Sequence, residues 1–370
     1  MLEKAELTLI KMLSKTKKVI TTPPPVLCSI ASCNYYFTEV EDCEYFHYYL
    51  CRQLKGGGME IRMKEKNCED YYEEYVQIND IKQYFLHYPK ESDIVVLYLH
   101  GGMTEAQLTY KTVLRDRKYS LVYYDQRGTG KTQAKNKSKP KEVTLEALMK
   151  DLDVTINYVR QKYPHKKLVL LGHSRGSILG MEYIKRYSTK VDAYVGVGQL
   201  VNFNEGQRIT FDHCYELAGS RDKKKIEIMR NNTGALSPES LQKACVDLEK
   251  MQTKYKLAGY KDGNFKLMSI VMKSPVFVLS DMIPIITAMK TNINLFPCVG
   301  RCDLHSYTTF SIPIYFLCGK NDWQAPGSIV EKYYAKITAP KKGLYWIENA
   351  GHFTDLDNPK EYTKVLNEIL

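Results

Sequence analysis

The residues of this chain that can do chemistry by type and spacing centre on Gly172-His173-Ser174-Arg175-Gly176. The segment fits G-x-S-x-G, in which a serine occupies a tight turn between a strand and a helix. Its flanks agree. The run Lys167 to Leu171 reads as a buried strand, and Ser177 to Arg186 has helical spacing. A serine on such a turn holds its hydroxyl clear of the backbone. Small residues two before and two after it relieve the crowding, and the helix N-terminus favours developing negative charge. A glycine-rich turn without chemistry is the alternative, and the flanks weigh against it.

A serine hydroxyl is a poor nucleophile at neutral pH and needs a base. In the chain order serine, acid, histidine, two partners follow. Leu317-Cys318-Gly319-Lys320-Asn321-Asp322 places an acid just past a buried run, and Asn349-Ala350-Gly351-His352 places a histidine just past the next one. Loops that leave the same edge of a parallel sheet converge in space. Ser174, Asp322 and His352 are therefore expected to meet, with His352 as proton acceptor and donor and Asp322 orienting its ring. Asp303, Asp355 and Asp357 are rival acids, but none follows a strand in the right place. For the substrate oxygen, His100-Gly101-Gly102 follows the run Ile94 to Leu99. Glycines admit backbone N–H groups close to an oxyanion. The Gly102 N–H is the first expected donor and the Arg175 N–H the second. The tail of Asp125-Gln126-Arg127-Gly128-Thr129-Gly130-Lys131-Thr132 imitates a phosphate-binding loop, yet Asp125 stands where that pattern requires glycine.

The elements that must position these residues are legible. Tyr75 to Ile78 and Gln83 to Tyr88 read as strands joined by a turn at Asn79-Asp80. Ile94 to Leu99, Ser120 to Tyr124, Lys167 to Leu171 and Ala193 to Val197 read as strands of a parallel sheet, with helices between them. The rhythm stops near residue 200. It resumes with a strand at Ile312 to Leu317, a helix near Ser328 to Tyr334, a strand at Gly343 to Ile347 and a helix from Pro359 to Leu370. The expected organisation is an N-terminal extension over 1–68 and a sheet domain in two parts, 69–201 and 306–370. A helical cap over 202–305 is inserted between those parts. It is of mixed polarity and carries a Met- and Pro-containing apolar stretch from Leu267 to Met289.

The totals narrow the class. The 370 residues are 44% hydrophobic and 26% charged, ordinary for a soluble domain. The net charge of +11 is spread along the chain in short runs, and no nucleic-acid recognition motif accompanies it, so no nucleic-acid partner is expected. The spacings of Cys28, Cys33, Cys43, Cys51 and Cys68, and of Cys298 and Cys302, support no zinc site. No secretory signal and no eighteen-residue apolar run is visible, and the expected setting is cytoplasmic with reduced thiols. Residues 1–20 form an amphipathic run, ended by Pro23-Pro24-Pro25. A helix packed on the domain is favoured over one lying on a membrane surface.

On the segments His100 to Gly102, Asp125 to Thr132, Gly172 to Gly176, Gly319 to Asp322 and Gly351-His352, the chain resembles the prolyl aminopeptidase-like branch of the α/β-hydrolases. Asp125-Gln126-Arg127-Gly128 points most to this branch. The resemblance implies an α/β-hydrolase fold with a doubly wound, mostly parallel sheet and an inserted helical cap. It also implies release of an N-terminal residue, often proline, from small peptides, without metal or organic cofactor. It carries the nucleophile onto Ser174, the acid onto Asp322 and the base onto His352. The branch usually continues HGG with Pro-Gly, where this chain has Met103-Thr104. Its aminopeptidases bind the substrate amine through acids of the cap. Glu205, Asp212 and Glu216 are available here, and Glu205 lies nearest the sheet in sequence. Two other readings stay open: an esterase or small-amide hydrolase with the same three residues, and a catalytically silent binding protein of the same fold.

Overall fold

The computed structural model describes residues 71–102, 116–231, 237–257, 259–260 and 276–370. The extension expected over 1–68, with its amphipathic run, proline break and five cysteines, lies outside them. So do Met103-Thr104 and the first part of the apolar stretch from Leu267 to Met289. Among the described residues no helix is long and apolar enough to cross a membrane.

Eight strands form one sheet. They are β1 (Tyr72–Ile78), β2 (Ile81–Tyr88), β3 (Ile94–Leu99), β4 (Ser120–Tyr124), β5 (Lys167–His173), β6 (Ala193–Val197), β7 (Ile314–Gly319) and β8 (Lys342–Ile347). Their order is β1-β2-β4-β3-β5-β6-β7-β8. β1 and β2 pair antiparallel, as do β2 and β4, and every other pair is parallel. The order reverses around β3, which lies between β4 and β5. In open α/β sheets ligands bind in the crevice beyond the strand ends at such a reversal.

The first helices are α1 (Gly130–Asn136), α2 (Leu145–Lys162) and α3 (Arg175–Tyr187). α2 starts where the Thr144 side chain accepts the Ala147 N–H, and it buries Leu148, Leu152, Ile156 and Val159, one stripe of a 3.6-residue repeat. Between β6 and β7 stand α4 (Phe203–Leu217), α5 (Ser220–Asn231), α6 (Pro238–Lys254), α7 (Met282–Thr291) and α8 (Phe296–Gly300). The two ends of this insertion meet at an antiparallel bridge between Asn202 and Asp303, flanked by the bonds Phe203 N–H to Cys302 O and Leu304 N–H to Val201 O. Then come α9 (Gly327–Lys336), the single turn α10 (Thr354–Asp357) and α11 (Pro359–Ile369).

Alternate residues of the parallel strands face opposite sides of the sheet. Val95, Leu97, Leu99, Leu168 and Leu170 join the core with α2, α3 and α9. Val96, Tyr98, Val169 and Leu171 join the other core with Tyr362, Val365, Leu366 and Ile369 of α11. The insertion has a small core of its own from Phe211, Cys214, Ala218, Ile226, Leu248 and Leu257, with Trp323 packed against it.

Several element boundaries moved: β1 begins at Tyr72 rather than 75 and β2 at Ile81 rather than 83. β7 begins at Ile314 and runs to Gly319 rather than from 312 to 317, because Pro313 has no N–H to give the ladder. β5 continues through His173, and α3 starts at Arg175, so a single residue turns the strand into the helix. The helix α1 is not marked in the sequence, because its seven residues are too short and polar a run to show an apolar stripe.

Candidate functional site

Ser174 is that single turning residue. Its φ of 53° and ψ of −124° are open to glycine and strained for a side chain. Packing over-determines the strain. A Cβ at Gly176 would stand 2.1 Å from the Leu99 carbonyl oxygen of β3, and one at Gly172 would stand 2.8 Å from the Gly176 oxygen. Both flanking glycines are thus required by close approach of backbone. The Ser174 N–H donates to the Val197 carbonyl at 3.0 Å, which fixes the turn to the end of β6.

The three residues expected to meet do so. The Ser174 Oγ lies 2.8 Å from the His352 Nε2, and the His352 Nδ1 lies 2.9 Å from the Asp322 Oδ2. Asp322 is 4% exposed and His352 2%, while Ser174 is half-buried, so a buried chain of hydrogen bonds ends on a reachable hydroxyl. The other Asp322 oxygen, Oδ1, accepts the N–H groups of Gln324 at 2.9 Å and Ala325 at 2.8 Å. With its lone pairs committed in this way, Asp322 is an acceptor for the His352 Nδ1–H, which leaves Nε2 to accept from Ser174.

Arg175 touches Gly102 through its side chain rather than through the two expected N–H groups: its guanidinium donates from Nη2 to the Gly102 carbonyl at 3.2 Å. The Arg175 N–H stands in the first turn of α3, where helical N–H groups lack partners within the helix. Glu205 is placed differently. Its carboxylate lies 3.6 Å from the His305 Nε2 and 3.7 Å from the Lys332 Nζ, and neither residue belongs to the Ser174–His352–Asp322 chain. Of the rival acids, Asp303 pairs with His305, and Asp357 accepts the Gly351 N–H at 2.8 Å beside His352.

The Asp125 to Thr132 turn braces the neighbouring loop. The Gln126 N–H donates to the His100 Nε2, and the Gln126 side chain donates to the His100 carbonyl, both at 3.1 Å. Arg127 bridges Asp151 and Asp80. The Asp125 carboxylate accepts the Lys131 N–H, so an acid already fills the place a phosphate would need. Burial, with the nearby Asp281 adding to it against the Lys131 N–H, pushes that carboxyl up to about 8.

Sequence reasoning missed two residues at the site. Gly198 has φ +53°, and a Cβ there would lie 3.0 Å from the His352 Cε1 and 3.3 Å from the Asp322 Oδ2. Its signal was the Gly196-Val197-Gly198 run at the end of β6. The His173 ring bonds the His352 carbonyl through Nε2 at 2.9 Å, for which the sequence offered only its place inside the serine turn.

Comparisons with known proteins show what the chain is similar to. Residues 90–251 match the family model described as serine aminopeptidase, S33. The chain is 22% identical over 286 residues to the probable aminopeptidase YbaC of Bacillus subtilis (strain 168), covering 74% of this chain and 87% of that one. It is 23% identical over 292 residues to a proline iminopeptidase of Heyndrickxia coagulans, covering 74% and 90%. The crystal structure of a proline iminopeptidase-related protein from Thermus thermophilus superposes with a TM-score of 0.58 at 18% identity, over 81% of this chain and 96% of that one. The fold is that of the α/β-hydrolases, and the resemblance to the prolyl aminopeptidase-like branch read from the sequence is borne out.

Proposed function

Starting from a chain that is a hydrolase of the α/β serine hydrolase type, we propose that Ser174 attacks the substrate carbonyl and carries the acyl group between two half-reactions. The observation that carries this reading is the unbroken chain Ser174 Oγ to His352 Nε2 to Asp322, with distances of 2.8 and 2.9 Å. His352 takes the serine proton as the bond to the carbonyl carbon forms. It returns that proton to the leaving amine as the amide C–N bond breaks. Water then repeats the cycle on the acyl-enzyme and restores Ser174. The Asp322 carboxylate stabilises the imidazolium in both halves. The N–H groups of Gly102 and Arg175 hold the oxyanion. The substrates are small peptides, from which an N-terminal residue of the proline type is released.

A second reading, an esterase or small-amide hydrolase, is favoured by one observation. The Glu205 carboxylate is engaged by His305 and Lys332, so it is not a free counter-charge for a substrate amine.

The test is a panel of chromogenic amides of free proline, alanine and leucine, their N-blocked forms and short-chain nitrophenyl esters. Cleavage confined to free-amine amides, and lost in Ser174→Ala, is the expected result. Cleavage of blocked amides and esters moves the protein to the second reading. Activity that survives in Ser174→Ala ends both.

A further inference from the structure

The loop that carries Asp322 is gripped from outside the sheet. The Trp323 carbonyl accepts the Thr210 hydroxyl of α4 at 2.6 Å and the Gln252 side-chain amide of α6 at 3.0 Å. Thr210 is 1% exposed and Gln252 4%. A buried amide is costly unless it is bonded, so this donor is committed to the loop. The Thr210 Oγ1 also lies 3.0 Å from the Gly206 carbonyl, but a hydroxyl has one proton, and the Trp323 oxygen is the nearer acceptor. The Trp323 ring meanwhile stacks on His213 of α4, with centroids 3.6 Å apart and planes 8° apart.

The peptide unit that accepts these bonds is the one whose other end touches Asp322. The Trp323 C=O and the Gln324 N–H belong to one planar group and point opposite ways. That N–H donates to the Asp322 Oδ1 at 2.9 Å. Turning the plane to release the carbonyl swings the N–H off the carboxylate. A bond accepted at the carbonyl also polarises the N–H and strengthens its donation.

Resting on the hydrolase reading above, we propose that Gln252 and Thr210 are positioning residues, through which the helical insertion aligns the Asp322 carboxylate with His352 by way of the Trp323–Gln324 peptide. The insertion then governs turnover, because a shift of α4 or α6 is felt at Asp322.

The test compares wild type with Gln252→Leu, the double variant Thr210→Val/Gln252→Leu, and Thr210→Ser, which keeps the hydroxyl. All are assayed on one substrate that the wild type cleaves. The expected result is a fall in kcat of about 10- to 100-fold in the double variant, since misplacements of about 1 Å have that effect. KM stays unchanged and Thr210→Ser keeps wild-type kcat. The low-field proton resonance of the His352–Asp322 hydrogen bond shifts or broadens in the double variant. Gln252→Leu alone shows a smaller fall of the same kind and serves if the double variant does not fold. An unchanged kcat overturns the proposal. So does a loss of kcat that follows a rise in KM and a drop in Tm with the resonance unmoved. Labelling of Ser174 by a fluorophosphonate probe separates the two levels. No labelling of wild type removes the underlying reading and this proposal with it. Labelling together with an unaffected variant removes this proposal alone.

Discussion

Two motif-bearing turns leave the sheet on either side of β3, one after β4 and one after β5. Both carry a motif in the sequence, and both carry buried polar side chains. In the turn after β4 the polar groups close on one another. Arg127 is bound by Asp151 and Asp80, the Asp125 carboxylate takes the Lys131 N–H, and Gln126 clasps His100. In the turn after β5 the chain runs from Asp322 through His352 and stops at the half-buried Ser174 hydroxyl. A closed network cancels its charges and makes the structure rigid. An open-ended one keeps a proton that can move and a nucleophile that a substrate can reach. On the reading proposed above, the difference between bracing and chemistry is whether the last member of the network can be reached from solvent.

Substitutions at the two turns should therefore separate activity from stability. The largest effect is expected at Ser174. Ser174→Ala should lower hydrolysis by about 10⁴-fold or more. Ser174→Gly should be equally inactive but should melt higher than Ser174→Ala, because glycine accepts the positive φ without strain of about 1–3 kcal/mol. Equal melting temperatures would mean that the turn is not strained, and retained activity would break the comparison outright.

Next comes Arg127→Met. It leaves Asp151, 1% exposed, without its main counter-charge. Breaking a buried pair costs about 3–5 kcal/mol. Denaturant unfolding should show that loss, while turnover per folded molecule stays at the wild-type level. A fall in turnover without a fall in stability would make the β4 turn part of the chemistry.

At Asp125 the change is expected only in the pH profile of stability. Burial raises this carboxyl from the ordinary value near 3.8 to about 8, so the folded protein keeps a proton that the unfolded chain has released between those values. Stability therefore declines as pH rises from about 4 to about 8, with a slope on the order of 1 kcal/mol per unit. Asp125→Asn should flatten that part of the profile, because asparagine has no proton to lose. A profile as steep in the variant as in wild type would assign the slope to other groups, with the neighbouring Asp281, also raised by burial, the first of them.

Much of this was open to reading in one dimension. The buried runs at 94–99, 120–124, 167–171 and 193–197 became β3 to β6 because apolar runs of that length, with helical spacing between them, pack well only as a covered parallel sheet. Gly172-His173-Ser174-Arg175-Gly176 marked the serine because a tight strand-to-helix turn needs small residues on both sides, a requirement written into five consecutive residues. Asp322 and His352 could be chosen because each follows its strand directly, so their places are fixed by the sheet alone. Glu205 could not be judged in the same way. Which face of α4 it occupies, and that His305 and Lys332 take its carboxylate, depends on elements about a hundred residues away. Gly198 shows the same limit: its positive φ is a local matter, but the His352 ring 3.0 Å from its missing Cβ comes from the far end of the chain. The Trp323 carbonyl, held by Thr210 and Gln252, has no mark in the sequence at all. A hydrogen bond between segments distant in the chain leaves no periodicity behind, so only the packing of α4 and α6 against the sheet loops decided where the insertion takes hold of the site.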